Sequence, residues 1–180
     1  MKEILQQNKR LITFLLYTGL LYGGWLITYE YFLKPWGVLD QLITENISYF
    51  LCVGLDWMGY NPHYSIARHV GETFIFIGSE INPIIRVGSS CNGLELLVLF
   101  AIFVICYPSK KRKLIFILFG LILIHAINII RNFILTIMAI HKSPYFDFFH
   151  RYIFVFLVYG IIFLLWIWWT NYQNNGTEKK

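Results

Sequence analysis

Residues 114–140 read LIFILFGLILIHAINIIRNFILTIMAI, an apolar run interrupted by His125, Asn128, Arg131 and Asn132. A helix rising about 1.5 Å per residue needs roughly 20 apolar residues to cross a hydrocarbon core about 30 Å thick, so the run reads as a long, tilted span. Positions 125, 128 and 132 are spaced i, i+3 and i+7, with Arg131 beside them, which puts the polar groups on one stripe of the helix. In hydrocarbon an ionisable side chain costs several kcal/mol unless it is paired or wet, so this stripe must face protein or water.

The rest of the chain has the same character. Of its 180 residues, 57% are hydrophobic, 19% aromatic and only 14% charged, which is not the composition of a soluble domain. Three further stretches read as spans: 11–33, 92–107, which is short, and 152–169. The basic start of the chain could belong to a signal peptide, but the apolar run after it is long and aromatic and lacks a small-x-small cleavage site, so it is read as an uncleaved first span. A fifth candidate, 38–60 (VLDQLITENISYFLCVGLDWMGY), carries Asp40, Glu45 and Asp56.

Charge decides its place. With four spans, Lys2, Lys9 and Arg10, the group Lys110, Lys111, Arg112 and Lys113, and Lys179 and Lys180 all fall on one side, which the positive-inside rule makes cytoplasmic. A fifth crossing at 38–60 would put SKKRK outside. That segment is therefore expected to lie on the outer surface as an amphipathic interfacial helix with its apolar face down. Between Gly71, Gly78, Pro83 and Gly88, residues 73–77 and 84–87 are β-rich and predict a small hairpin-like segment above the membrane. The expected fold is thus an all-α integral membrane protein of about four transmembrane helices, with an outer interfacial helix and a small β-hairpin-like extracytoplasmic segment. It forms one domain over 1–180: a cytoplasmic N-terminus at 1–10, an extracytoplasmic segment at 34–90, a helical core carrying the site at 91–170, and a cytoplasmic tail at 171–180. The polar sequence after Trp169 is expected to be disordered.

The net charge of +5 sits in short clusters beside the spans, where topology and anionic lipid account for it, so membrane lipid is the expected partner and nucleic acid is not. Three cysteines, Cys52, Cys91 and Cys106, are an odd count and cannot form a complete disulfide framework. His63 and His69, and His141 and His150, lack the spacing of helical zinc pairs, so no metal is expected. The sequence has no Gly-x-Gly-x-x-Gly or Walker A run and no Gly-x-Ser-x-Gly elbow, and no cofactor is expected.

On the four-span topology Cys91, in SSCNGLELLVLF, and His150, in SPYFDFFHRYIFVFLVYG, both sit at the outer leaflet. Arg131, about 26 Å along its helix from Leu114, reaches the same boundary by extending its side chain. A thiol, an imidazole and a guanidinium are the parts of a cysteine acyl-transfer site: a base shares the thiol proton, the thiolate attacks a carbonyl, and a fixed cation stabilises the oxyanion. A helix starting at Asn92 would favour the thiolate through its dipole. Each group also has a plainer reading. Cys91, like Cys52 and Cys106, is a small packing residue; Arg131 is a clamp on helix ends or lipid phosphate; His150 is interface decoration, with His141 competing for the base role; His125 is a helix-to-helix hydrogen-bonding residue. On those readings the protein is a noncatalytic membrane scaffold or transport subunit that binds a lipid headgroup or a partner helix.

CNGLE at the start of one span, NIIRN within the next and FFHRYIF opening the last resemble, in that order, the exosortase and archaeosortase family of membrane transpeptidases. The length is similar to that of the family's compact members in Bacteroidetes-type bacteria. The resemblance implies a thiol protease and transpeptidase of the bacterial cytoplasmic membrane, with its active site facing the extracytoplasmic side. Its substrates would be exported proteins bearing a C-terminal sorting signal of recognition motif, transmembrane helix and basic tail. It implies Cys91 as nucleophile, His150 as general base and acid, Arg131 as stabiliser, and a lipid or glycan as acceptor. The substrate's tail helix would dock against the polar stripe, making Asn128 and Asn132 substrate-binding residues, while Arg68 and Arg86 are outer-face cations that are read first as solvated surface and second as partners for an acidic motif residue.

Overall fold

The computed structural model describes residues 8–67, 71–108 and 112–175. Arg68 and the lysines at 2, 110, 111, 179 and 180 lie outside them. Helix α1 (Lys9–Thr28) runs on through a π-helical turn, Tyr29–Leu33, and a further α-turn, Lys34–Trp36. Gly37, at φ +69°, turns the chain into α2 (Val38–Trp57). Strands β1 (Pro62–Ala67), β2 (Glu72–Ile77) and β3 (Ile85–Val87) then lead to α3 (Leu94–Cys106) and α4 (Lys113–Ile140). A short α-turn, Phe146–Phe148, and a second π-helical turn, Phe149–Ile153, open α5 (Phe154–Asn175).

Three of these helical stretches, Leu11–Trp36, Lys113–Ile140 and Phe146–Gln173, are long and apolar enough to cross a membrane. The expected span at 92–107 is the 13-residue α3. At 1.5 Å per residue it covers about 20 Å, well short of a hydrocarbon core. Its ends explain the loss: Asn92 and Gly93 are drawn into the turn that carries Cys91, and Tyr107 leaves the helix at ψ 132° ahead of Pro108. Three long helices and one short apolar one thus stand where four spans are expected. The last helix departs in the other direction. It continues to Asn175 where disorder was expected after Trp169, and Gln173 is buried.

Helix α4 is the axis of the molecule. Around its first half, Phe100 and Val104 of α3 and Val158, Ile162, Leu165 and Trp169 of α5 close on Phe116 and Ile124. The Trp169 and Phe116 rings stack at 4.4 Å. Gly120 lets α3 come close, because a Cβ there would overlap the fully buried ring of Phe100. Helix α1 touches α3 along one face, with Phe14 edge-on to Phe103 at 5.1 Å, and leaves much of its apolar surface exposed for lipid.

The second half of α4 carries the other core. The three strands form an antiparallel sheet in the order β1-β2-β3. On β2, Thr73 and Ile75 point inward and alternate with partly exposed neighbours, the period of a half-buried strand. Those residues and Val87 pack on Ile47, Leu51 and Leu55 of α2, with Ile129, Phe133, Ile137 and Ile140 of α4 below. The sheet has one more strand than the expected hairpin. β1 pairs with β2 from Pro62↔Ile77 to Ala67↔Glu72, with proline at its first position on an edge strand, where no donor is missed.

Helix α2, expected as an interfacial helix, buries a mixed stripe. Its buried stripe, Asp40, Thr44, Ile47, Ser48, Leu51 and Leu55, faces the sheet and α4, and three of those six residues are polar. Leu42, Tyr49, Phe50 and Trp57 are exposed instead. The reason is the sheet, whose inward residues find their cover on α2: Ser48 bonds Thr73, and Thr44 donates to the Gly71 carbonyl at 3.2 Å. His125 reaches across from α4 to Asn46 at 2.8 Å, a helix-to-helix hydrogen bond as expected.

Gly120→Ala is expected to lower the thermal midpoint of the detergent-solubilised protein. Overpacking a filled core costs about 1–3 kcal/mol, and the overlap here falls on a ring with no room to move. A midpoint at or above that of the wild type would show that α3 and α4 are less tightly joined than described.

Candidate active site

Cys91 lies in a tight turn between β3 and α3, where its N–H donates to the Gly88 carbonyl at 2.9 Å. Its carbonyl oxygen is held from the other side by α4: Asn128 Nδ2 donates to it at 3.1 Å and Asn132 Nδ2 at 3.3 Å. Asn132 Nδ2 also donates to the Asn128 carbonyl at 2.8 Å. Gly93 completes the turn at φ +78°, and a Cβ there would sit 3.0 Å from Asn128 Nδ2, so both the backbone angle and the space require glycine. Helix α3 starts only at Leu94, two residues later than expected, and Cys91 precedes the helix without being part of it.

The π-helical turn Phe149–Ile153 presents His150 to this loop, with the imidazole against the Phe146 ring at 5.9 Å. Cys91 Sγ and His150 Nε2 are 3.6 Å apart, within hydrogen-bond reach for sulfur, although 59 residues separate them. Both side chains are half-buried. Such π-turns are uncommon in helices and concentrate at functional sites. His141, the competing candidate, is engaged elsewhere, with Nε2 3.2 Å from the Tyr60 hydroxyl.

Arg131 is only 8% exposed and lies within electrostatic range of His150. Its Nε has no hydrogen-bond partner among the described residues, and neither has the buried Asn128 Oδ1. A buried guanidinium with a free donor beside a thiol and an imidazole is a ready receptor for developing negative charge. The structure thus brings Cys91, His150, Arg131, Asn128 and Asn132 to one place. The two asparagines, expected to bind a substrate helix, donate from Nδ2 to backbone carbonyls and so support the Cys91 turn, while Asn128 Oδ1 is left without a partner among the described residues. Arg86, read as solvated surface before a partner for an acidic motif, is exposed and lies 3.5 Å from Glu72.

The other thiols are set apart. Burial pushes the Cys52 thiol up to about 11, which leaves it almost wholly protonated at neutral pH. All three cysteines are free. Among the described residues, no group of three or more His, Cys, Asp or Glu side chains converges as a metal site would.

A layer of polar contacts behind Cys91 was not foreseen. Asn92, 1% exposed, donates from Nδ2 to Asp40 Oδ1 at 2.6 Å and accepts the Leu94 N–H at 2.9 Å. Tyr29 donates its hydroxyl to both Asp40 oxygens at 3.0 Å. The available signal was the aspartate itself, three residues into an otherwise apolar helix start, where it was weighed only as a charge against crossing the membrane.

Long apolar helices, a polar stripe midway along one of them and a cysteine–histidine contact define a multi-pass membrane protein with a thiol-bearing site packed on that stripe. A family model described as Transmembrane exosortase (Exosortase_EpsH) matches residues 10–168, and the chain belongs to that family. No curated protein and no solved structure matches it.

Replacing Asn128 and Asn132 together with alanine removes both donors to the Cys91 carbonyl. The Asn132 bond to the Asn128 carbonyl goes with them, and at about 1 kcal/mol for each of the three hydrogen bonds lost the expected destabilisation is about 3 kcal/mol, read as a fall in thermal midpoint with unchanged helical circular dichroism.

Proposed function

We propose that this exosortase is a membrane cysteine peptidase and transpeptidase that cleaves the C-terminal sorting signal of exported proteins at the extracytoplasmic face of the bacterial cytoplasmic membrane. The observation that carries the reading is the 3.6 Å approach of Cys91 Sγ to His150 Nε2 beside the buried Arg131. A packing cysteine has no need of an imidazole, and a lipid-headgroup clamp has no need of a thiol.

In the proposed reaction His150 takes the thiol proton as the sulfur attacks the carbonyl carbon of the scissile peptide. The carbonyl oxygen gains negative charge, which the Arg131 guanidinium stabilises. Collapse of the intermediate breaks the C–N bond, and the proton held by His150 passes to the leaving amine, which departs with the tail helix. The remaining thioester is opened by an amine or hydroxyl of a lipid or glycan acceptor, or by water, whose proton returns through His150 to the thiolate. Asn128 and Asn132 fix the carbonyl of Cys91 and thereby the direction of its side chain. Asn128 Oδ1, buried and without a partner among the described residues, is the acceptor that the asparagine pair offers a substrate.

Mass spectrometry of surface-protein C-termini in the native host tests this. With Cys91→Ala, a set of exported proteins is expected to keep a C-terminal apolar helix and basic tail that the wild type removes, and mass added to the wild-type products identifies the acceptor. His150→Ala is expected to lower processing by about a thousandfold or more, the scale seen when a nucleophile loses its base. Arg131→Lys is expected to fail as well, because an ammonium cannot reproduce the planar donor fork. His141→Ala should stay within about twofold. Unchanged termini in a folded Cys91→Ala protein would overturn the reading in favour of a noncatalytic scaffold.

A further inference from the structure

Behind the reactive turn, a buried carboxylate on a different element is bonded to the residue that follows the cysteine. Asp40 is 1% exposed, and among the described residues no cation pairs with it. Its oxygens accept Tyr29 Oη at 3.0 Å and Asn92 Nδ2 at 2.6 Å. An unpaired carboxylate in so dry a place is expensive to keep, and charge-assisted hydrogen bonds of this length are among the strongest a protein makes. The surrounding backbone is shaped to fit it. Gly71, at φ +63°, ends the β1–β2 connection directly over Asp40, where a Cβ would lie 2.8 Å from the Asp40 Cβ and 3.0 Å from the Gly37 carbonyl.

We infer that Asp40 is a positioning residue for the Cys91 nucleophile, acting through Asn92, an inference that rests on the catalytic reading of the Cys91–His150 pair. The geometry is a two-sided clamp. From α4, Asn128 and Asn132 hold the Cys91 carbonyl; from α2, Asp40 holds the side chain of Asn92, whose own oxygen caps Leu94 at the start of α3. The peptide joining Cys91 to Asn92 is fixed between the two sets of contacts, and the Cys91 side chain leaves it towards His150. Tyr29, from the π-helical turn of the first long helix, fixes the carboxylate in turn. Asp40 touches no reacting atom. Without its bond to Asn92 the turn is held from one side only, and the thiol–imidazole contact loses its fixed distance.

A double-mutant cycle on thiol chemistry tests this without a known substrate. The rate of Cys91 alkylation by iodoacetamide is followed by peptide mass spectrometry on the purified full chain in detergent, with and without His150→Ala. In the wild-type background, removing the imidazole is expected to change the rate by about tenfold or more, since the neighbouring base governs the thiolate supply. In Asp40→Ala, and in Asn92→Asp, where two carboxylates face one another, the same removal is expected to change it by less than about twofold. Asp40→Asn combined with Asn92→Asp reverses donor and acceptor between the two residues, keeps their hydrogen bond and leaves Tyr29 one oxygen to bond, and should restore the sensitivity to His150. If Asp40→Ala does not fold, Asn92→Asp and the exchange variant carry the test. Equal sensitivity to His150→Ala in the wild type and the single variants overturns the inference alone, as does an exchange variant no better than the singles. Insensitivity in the wild type overturns the catalytic reading, and the positioning role with it.

Discussion

The carbonyl oxygen of Cys91 accepts hydrogen bonds from two asparagines one helical turn apart on α4, and the site is organised around that contact. Water is scarce among apolar helices, so each polar group there must find its partner inside the protein. Asn128 and Asn132 need an acceptor, and the turn between β3 and α3 supplies one. Satisfying the asparagines fixes the turn against the middle of the longest helix. The outward residues of the same helix can remain apolar, and α4 is at once a bilayer-length segment and the floor of a polar site.

That contact also explains how a small sheet comes to matter in a helical protein. β3 delivers the chain to Cys91, and the sheet is held in place by α2, whose buried stripe mixes Ile47, Leu51 and Leu55 with Asp40, Thr44 and Ser48. The apolar members pack on the strands and on α4; the polar ones bond the sheet and the turn. The two cores meet on α4 near residues 125–133, with the site at their junction. Rigid cover on both sides is what holds a half-buried thiol and imidazole together over 59 residues of intervening chain.

Part of this was legible in the sequence. The 3.6-residue period of His125, Asn128 and Asn132 sets one polar face whatever the neighbours are. Other features depend on contacts that no local pattern encodes. β1 reads weakly because PHYSIA is short and begins with proline. Asp40, Thr44 and Ser48 look like the wet face of an interfacial helix, and only the sheet above them turns that face inward. α3 shortened because Asn92 and Gly93, which could have joined an apolar helix, are claimed by Asp40 and by the left-handed turn. That Asn128 and Asn132 donate to backbone follows from where the Cys91 carbonyl ends up.

Each of the two π-helical turns, Tyr29–Leu33 and Phe149–Ile153, holds one side chain of the polar assembly, Tyr29 in the first and His150 in the second. A π-turn accommodates one more residue than an α-turn, and each added residue shifts the angular phase of the helix by about 100°. The lipid-facing stripe of a long helix and the residues it offers to the site therefore keep separate phases. The membrane-anchoring portion can change its sequence and its rotation in the bilayer while the turn absorbs the mismatch. The surroundings of the helix and the side chains it presents to the site are in this way uncoupled along a single unbroken helix.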